Sequence, residues 1–147
     1  MRAAEPGHYE RIVRVLDDWW GRPVSSNLPR LFLDHFHSTS LVAEDGDGLA
    51  GFLVGLLSPS LPDVAYIHFV GVAPRLRGSG LAQRLYQRFF DLAAADHRTT
   101  VRAITSPVNE GSIGFHAALG FTVSDPVAGY DGPGIDRVVF ERRLPPG

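Results

Sequence analysis

The stretch from Val64 to Leu92 constrains this chain more than any other. An apolar, strand-like run, Val64 to Val72, passes through Ala-Pro-Arg-Leu-Arg-Gly-Ser-Gly and enters a helical pattern with Leu81, Leu85, Phe89 and Leu92 on one face. A strand leading this directly into an amphipathic helix buries its apolar surface by folding the helix back onto a sheet, which commits the chain to a layered α/β architecture. The helix starts just after Gly78 and Gly80, so unpaired backbone N–H groups and the positive end of the helix dipole meet at the turn. Such a turn is an anion cradle, and phosphate is its expected guest.

Spacing narrows the choice of phosphate compound. A dinucleotide fingerprint needs a third glycine where Gln83 stands, and it follows its strand directly, whereas five residues separate Val72 from Gly78. A Walker loop ends in Gly-Lys-Ser/Thr, and no lysine lies near the turn. What remains, Arg75-x-x-Gly78-x-Gly80 after a strand and a proline, resembles the pyrophosphate-binding motif of the GNAT superfamily of acyl-CoA-dependent N-acetyltransferases. A second stretch, Asn109 to Phe121 (Asn-Glu-Gly-Ser-Ile-Gly-Phe-His-Ala-Ala-Leu-Gly-Phe), resembles the other GNAT signature. The two stand in the family's order and at about its separation. The resemblance covers most of the chain, although the segment from Trp19 to Thr39 matches no specific pattern.

The remaining elements follow from periodicity and turn chemistry. Arg2 to Ala4 reads as a short strand. Ile12, Val15, Leu16 and Trp19 define an amphipathic helix from His8 to about Gly21, and a second helix is expected over Pro29 to His37, with Asn27 as its cap. Leu41–Glu44 and Leu49–Leu57 form a hairpin across the two Asp-Gly pairs at Asp45–Gly48, and Val64–Val72 continues an antiparallel meander. Thr99–Thr105 is a β-branched strand, parallel to Val64–Val72 because a helix crosses between them. A helix over Glu110 to Leu119 stops at Gly120, and strands at Phe121–Ser124 and Arg137–Leu144 flank a glycine- and proline-rich loop from Asp125 to Asp136. The expected fold is therefore a mixed α/β sheet, an antiparallel meander leading into a parallel βαβ unit with helices on both faces. The resemblance implies a GNAT-like sheet in which the Val64–Val72 and Thr99–Thr105 strands splay apart.

Length and composition set the outer bounds. At 147 residues the expectation is one domain, residues 1–147. The absence of cysteine excludes disulfides, thiolate metal sites and a cysteine nucleophile. No metal site is expected. The first residues lack an apolar signal-like run, and the apolar run from Leu49 to Leu57 is too short to span a bilayer, so a soluble, unprocessed, cytoplasmic protein without membrane contact is expected. A net charge of -2 with scattered arginines disfavours a nucleic-acid partner.

The site residues come with the resemblance. It implies acetyl-CoA as co-substrate and an amine of a small molecule or peptide as acceptor. The Arg75–Leu81 turn (Arg75, Leu76, Arg77, Gly78, Ser79, Gly80, Leu81) would hold the pyrophosphate. Val70 and Val72 would pair with pantetheine in the gap between the splayed strands. Asn109, Ser112, Phe115 and His116 would form the opposite wall. Val70 would also supply a backbone N–H to the thioester carbonyl oxygen. A homodimer is implied only by analogy. The rival reading is a non-catalytic acyl-CoA-binding module.

Two histidines are candidates for the proton chemistry. His68 lies two residues before Val70 and shares its side of a regular strand. Together with Tyr66 it resembles the strand residues that pass a proton outward in arylalkylamine acetyltransferases, and the alternative is a hydrogen-bonded sheet histidine. His116 stands where most of the family has a tyrosine that protonates or steadies the departing thiolate. It shares a helix face with Ser112, and it is either the acid, a binding residue or a packing residue. His35 and His37 do not share a helix face and read as surface residues. Trp19, Trp20, Asp17 and Asp18 border a possible acceptor pocket, as do Asp125, Tyr130 and Asp131, with core packing and solvent exposure as the alternatives.

Overall fold

The computed structural model describes residues 1–145; Pro146 and Gly147 lie outside the described residues. Among the described residues there are seven strands and four α-helices. They are β1 (Arg2–Ala3), α1 (His8–Trp20), α2 (Leu31–Phe36), β2 (Leu41–Asp45), β3 (Gly48–Leu57), β4 (Val64–Val72), α3 (Leu81–Ala95), β5 (Thr100–Thr105), α4 (Glu110–Ala118), β6 (Thr122–Val123) and β7 (Val138–Arg143). The strand order is β1-β2-β3-β4-β5-β7-β6. β1, β2 and β3 pair antiparallel, β4 and β5 pair parallel, and β7 pairs antiparallel with both β5 and β6. This is the mixed sheet expected from the sequence, with the crossover helix α3 between the parallel strands. Among the described residues no helix is long and apolar enough to cross a membrane.

The chain divides into two compact units, Met1–Leu56 with Ile67–Leu92, and Leu57–Tyr66 with the chain from Ala93 onward. In the first unit, helices cover both faces of the strands. Ile12 and Leu16 of α1 and Leu33 of α2 are fully buried against Val42, Phe52 and Val54. Each such side chain contributes roughly 1.5–3 kcal/mol of burial free energy. On the other face α3 buries Leu81, Leu85 and Phe89 as the periodicity predicts, and also Tyr86 and Phe90, so its apolar stripe is wider than one heptad face. In the second unit, β5 and β7 pair over their full lengths, with Val101, Ala103, Val138 and Phe140 buried.

The second helix differs most from the sequence expectation. It is shorter, Leu31–Phe36, flanked by single 3₁₀ turns at Ser25–Asn27 and His37–Thr39. Asn27 does not cap it: the helix follows Arg30, with no side-chain cap, and Pro29 contributes its carbonyl to Phe32 N–H instead. The polar groups after α1 are met by Asp17, whose carboxylate accepts from the N–H groups of Val24 and Ser25.

The glycines that interrupt β3 mark where α3 sits. A Cβ on Gly55 would lie 2.4 Å from the Phe89 ring, and one on Gly51 would lie 3.0 Å from the Gly71 carbonyl. On β4, a Cβ on Gly71 would meet the Phe52 ring at 2.6 Å and Trp20 at 2.9 Å. The bare backbone at these positions lets large aromatic rings lie directly on the strands. Because Phe89 is fully buried and cannot swing aside, Gly55→Ala is expected to cost about 1–3 kcal/mol in urea-unfolding free energy. A second change, Phe89→Leu, should recover part of that loss when combined with Gly55→Ala, giving a non-additive double-mutant cycle.

Candidate active site

β4 carries an irregularity that decides where its side chains point. Ser58 N–H donates to Val64 O and Ala73 N–H donates to Ala50 O. Antiparallel hydrogen bonds join opposed residues, so segment 50–58 is matched by segment 64–73, which is one residue longer. The extra residue is a β-bulge. It shows in the side chains: His68 stacks on Phe32 of α2 (centroids 3.9 Å apart, planes at 4°), while its neighbour Phe69 packs on Trp20 of α1 (4.9 Å). Two successive residues thus face the same helical layer. Gly71, two residues past Phe69, also faces Trp20. Val70 and Val72 therefore alternate to the other side. The expectation that His68 and Val70 share a side is corrected, because the bulge breaks the two-residue period on which it rested.

His68 is half-buried, and its Nε2–H donates to the Asn27 carbonyl at 2.8 Å, leaving Nδ1 as the basic nitrogen. Burial pushes its pKa below the ordinary value and the Asn27 bond only partly opposes this, so the ring is neutral at pH 7. Tyr66, in the second unit, has its phenol pushed up to about 12, chiefly by burial, with Tyr130 and Asp131 of the 125–136 loop adding to the effect.

The turn after β4 opens with a 3₁₀ turn, Pro74–Leu76, and passes Gly78 and Gly80, both at positive φ (82° and 84°). Non-glycine residues rarely adopt these angles. A Cβ at Gly78 would have nothing within 4 Å, and one at Gly80 would meet only the ends of the Arg84 and Gln83 side chains, so the space above the turn is open. Arg84 N–H bonds to Gly80 O; the N–H groups of Leu81, Ala82 and Gln83 have no carbonyl one turn back within α3. The open turn and these donors fit a diphosphate.

The two arginines of the turn are held by protein groups. The Arg75 guanidinium forms a two-pronged pair with Asp45, at 2.7 and 2.9 Å, and lies 3.7 Å from Asp47. Arg77 donates to the Trp19 carbonyl at 2.6 Å, placing a cation at the C-terminus of α1. A cavity of about 230 Å³ is lined by Trp19, Trp20, Val70, Gly71, Val72 and Arg77. Both tryptophans are half-buried, and Trp19 also stacks on Phe52.

In the second unit, Asn109 caps α4 by accepting from Ser112 N–H, and its amide nitrogen donates to Thr105 Oγ1. Both ends of that amide thus have protein partners. His116 is 6% exposed and stacks flat on Phe140 (4.0 Å, 7°), with Phe115 and Phe121 meeting it edge-on. Its Nδ1–H donates to the Ser112 carbonyl at 2.8 Å, with Ser112 Oγ at 3.3 Å. Burial lowers its pKa, so the ring is neutral at pH 7 with its proton committed to Ser112. That arrangement opposes the thiolate-acid reading of His116 and favours the packing one. Among the described residues no group of three or more His, Cys, Asp or Glu is placed to hold a metal ion.

Sequence reasoning did not find Phe32, Phe140 or Asp45 as partners of His68, His116 and Arg75. The first two carry no local signal, since stacking across elements leaves none in the sequence. Asp45 was legible only as a turn residue.

Residues 9–121 match the Acetyltransferase (GNAT) family, and the chain belongs to that family. An L-2,4-diaminobutyric acid acetyltransferase of Nocardia farcinica is 32% identical over 122 residues, covering 81% of this chain and 62% of that relative, so this chain spans less than two thirds of its length. Among solved structures, a GNAT-family protein from Desulfovibrio desulfuricans superposes with a TM-score of 0.83 at 18% identity, covering 99% of this chain and 98% of that one. A phosphinothricin acetyltransferase from Sinorhizobium meliloti, solved in complex with AcCoA, gives 0.76 at 18% identity, covering 99% and 88%. These likenesses establish the fold.

The buried neutral histidine has a consequence for stability. A histidine whose folded pKa lies below its unfolded value of about 6.5 stabilises the fold fully above that pH and progressively less as pH falls through the folded pKa. Thermal unfolding of the protein between pH 7.5 and 5 should show this decline, and His116→Phe, which keeps a ring on Phe140, should reduce its slope.

Proposed function

We propose that this protein is an acetyl-CoA-dependent N-acetyltransferase, acting on a primary amine of a small molecule or peptide in a ternary complex. The observation that carries the reading is the turn at Gly78 and Gly80. Two positive-φ glycines open into the first turn of α3 in a chain of the GNAT family. Under this proposal the backbone from Arg77 to Leu81 holds the diphosphate, and Val70 and Val72 hold the pantetheine through backbone groups. A cytoplasmic location and a homodimer belong to the same proposal. The name of the Nocardia relative makes L-2,4-diaminobutyrate the first acceptor to assay.

Acetyl-CoA would supply the acyl carbon, whose bond to sulfur breaks as its bond to the amine nitrogen forms, CoA leaving as a thiolate that takes its proton from water. The chain's own contribution is position, an oxyanion donor and a proton acceptor. Val70 N–H is the proposed donor, because β4 pairs with β5 only over Val64–Tyr66 and Val70 lies beyond the paired residues. His68 is the proposed acceptor of the amine's proton, directly or through water, and Nδ1 is the atom that takes it. Its lowered pKa keeps that nitrogen unprotonated at pH 7.

Gly80→Val is expected to raise the dissociation constant for CoA by roughly tenfold or more, ~1.4 kcal/mol, through backbone strain at φ 84° rather than a steric clash. Calorimetry on the folded variant measures it, and unchanged affinity would remove the turn from the cofactor site. CoA release with a panel of amines separates an enzyme from a non-catalytic acyl-CoA-binding module.

For His68, protonation below its lowered pKa removes the base, so turnover should fall on an acidic limb lying below pH 6.5. His68→Ala should cost something like 10²–10⁴ in kcat and abolish that limb. A wild-type rate and profile in the variant would leave only the packing role.

A further inference from the structure

We propose that Asp45 is a positioning residue for the diphosphate-binding turn, acting through Arg75, and that the Arg75 side chain is a strap of the turn rather than a phosphate ligand. The inference rests on the cofactor site proposed above and changes the role of one residue within it.

The geometry is specific. Arg75 Nη1 donates to Asp45 Oδ2 at 2.7 Å and Nη2 to Asp45 Oδ1 at 2.9 Å, a two-pronged pair in which both terminal nitrogens are engaged. Asp47 adds a second carboxylate 3.7 Å from Nη1. The guanidinium is therefore turned toward the β2–β3 hairpin and already faces two negative charges. A phosphate would have to displace Asp45 to reach it. Asp45 Oδ1 also accepts from Asp47 N–H at 2.9 Å, so the same carboxylate shapes the hairpin turn and holds the arginine.

The turn is thus tied on two sides. Arg75 fastens its start to the end of β2, and Arg77 fastens its middle to the Trp19 carbonyl at the end of α1. Between them the turn closes on itself, with Leu76 N–H on Ala73 O and Ser79 N–H on Leu76 O. Glycines at 78 and 80 make this backbone adaptable, and ordering it only on binding would cost affinity. A strap at Arg75 lowers that cost in advance. The pair is partly exposed, where single-pronged ion pairs contribute little, but two-pronged arginine geometry is the exception.

Asp45→Asn is the selective variant. Its Oδ1 still accepts from Asp47 N–H, so the hairpin keeps its turn, while the charge that holds both guanidinium nitrogens is gone. Calorimetry should show the dissociation constant for CoA rising roughly threefold to tenfold. The KM for acetyl-CoA should rise alike, with kcat at saturation unchanged, and turnover of acetyl-pantetheine, which lacks the diphosphate, should be unaltered. Arg75→Gln should give the same rise, and the double variant should be no worse than either single one. Unfolding temperature identifies any variant that is simply less folded, in which case the ratio of kcat/KM for acetyl-CoA to that for acetyl-pantetheine carries the test, because lost folding lowers both alike. Unchanged CoA affinity in Asp45→Asn overturns the proposal. So does tighter binding, since that would mean that Asp45 withholds Arg75 from the phosphate. A wild-type protein that does not bind CoA at all would instead overturn the cofactor site itself.

Discussion

The close seating of aromatic rings on bare strand backbone is the constraint from which the first unit follows. Phe89 of α3 lies where a Cβ on Gly55 would be, and Phe52 and Trp20 lie where one on Gly71 would be. Helix α3 is held near the strands at this distance, and its N-terminus follows as the place where the chain from β4 must turn. The turn then needs Gly78 and Gly80 at positive φ. A layer of packing thus sets the position of the backbone N–H groups that the proposed cofactor uses. The same packing brings the end of α1, with Trp19 and Trp20, against β4 and gives Arg77 a carbonyl to hold.

Electrostatics in the two units run on different principles. Around the turn, exposed guanidinium groups are oriented by carboxylate and carbonyl partners: the Arg75 guanidinium, and after it the Asp47 N–H, hold the Asp45 carboxyl below the usual carboxylate range. At the two histidines burial dominates. Both rings lose charge because phenyl faces replace water around them, and in each one ring N–H donates to a backbone carbonyl. The outcome is two neutral imidazoles with different exposure. His68, half-buried beside the bulge, keeps a basic nitrogen, whereas His116 has its proton fixed to its own helix and its ring inside an aromatic cage.

Most of the fold was legible in the sequence. β4 has the predicted bounds, the Asp-Gly hairpin forms, Gly120 ends α4 at φ 87°, and β4 and β5 pair in parallel across α3. These features are local, or follow from handedness rules that need only the order of elements. The second helix was less legible because its segment has no strong period, and it breaks into 3₁₀ turns on either side.

The sequence by itself determined the mixed α/β order, the glycine turn after β4 and its likeness to a known family, because turn chemistry and hydrophobic period act between residues close in the chain. Only the tertiary structure decided which partners the side chains at that site meet. One extra residue in β4 turned His68 away from the side of Val70, and no local pattern marks where a bulge falls. Phe140, on a strand that follows the last long loop, stacks flat on the His116 ring. Asp45, thirty residues before Arg75, accepts from both terminal nitrogens of its guanidinium. For His116 and Arg75 a partner far along the chain set the surroundings of a residue whose identity alone was neutral between roles.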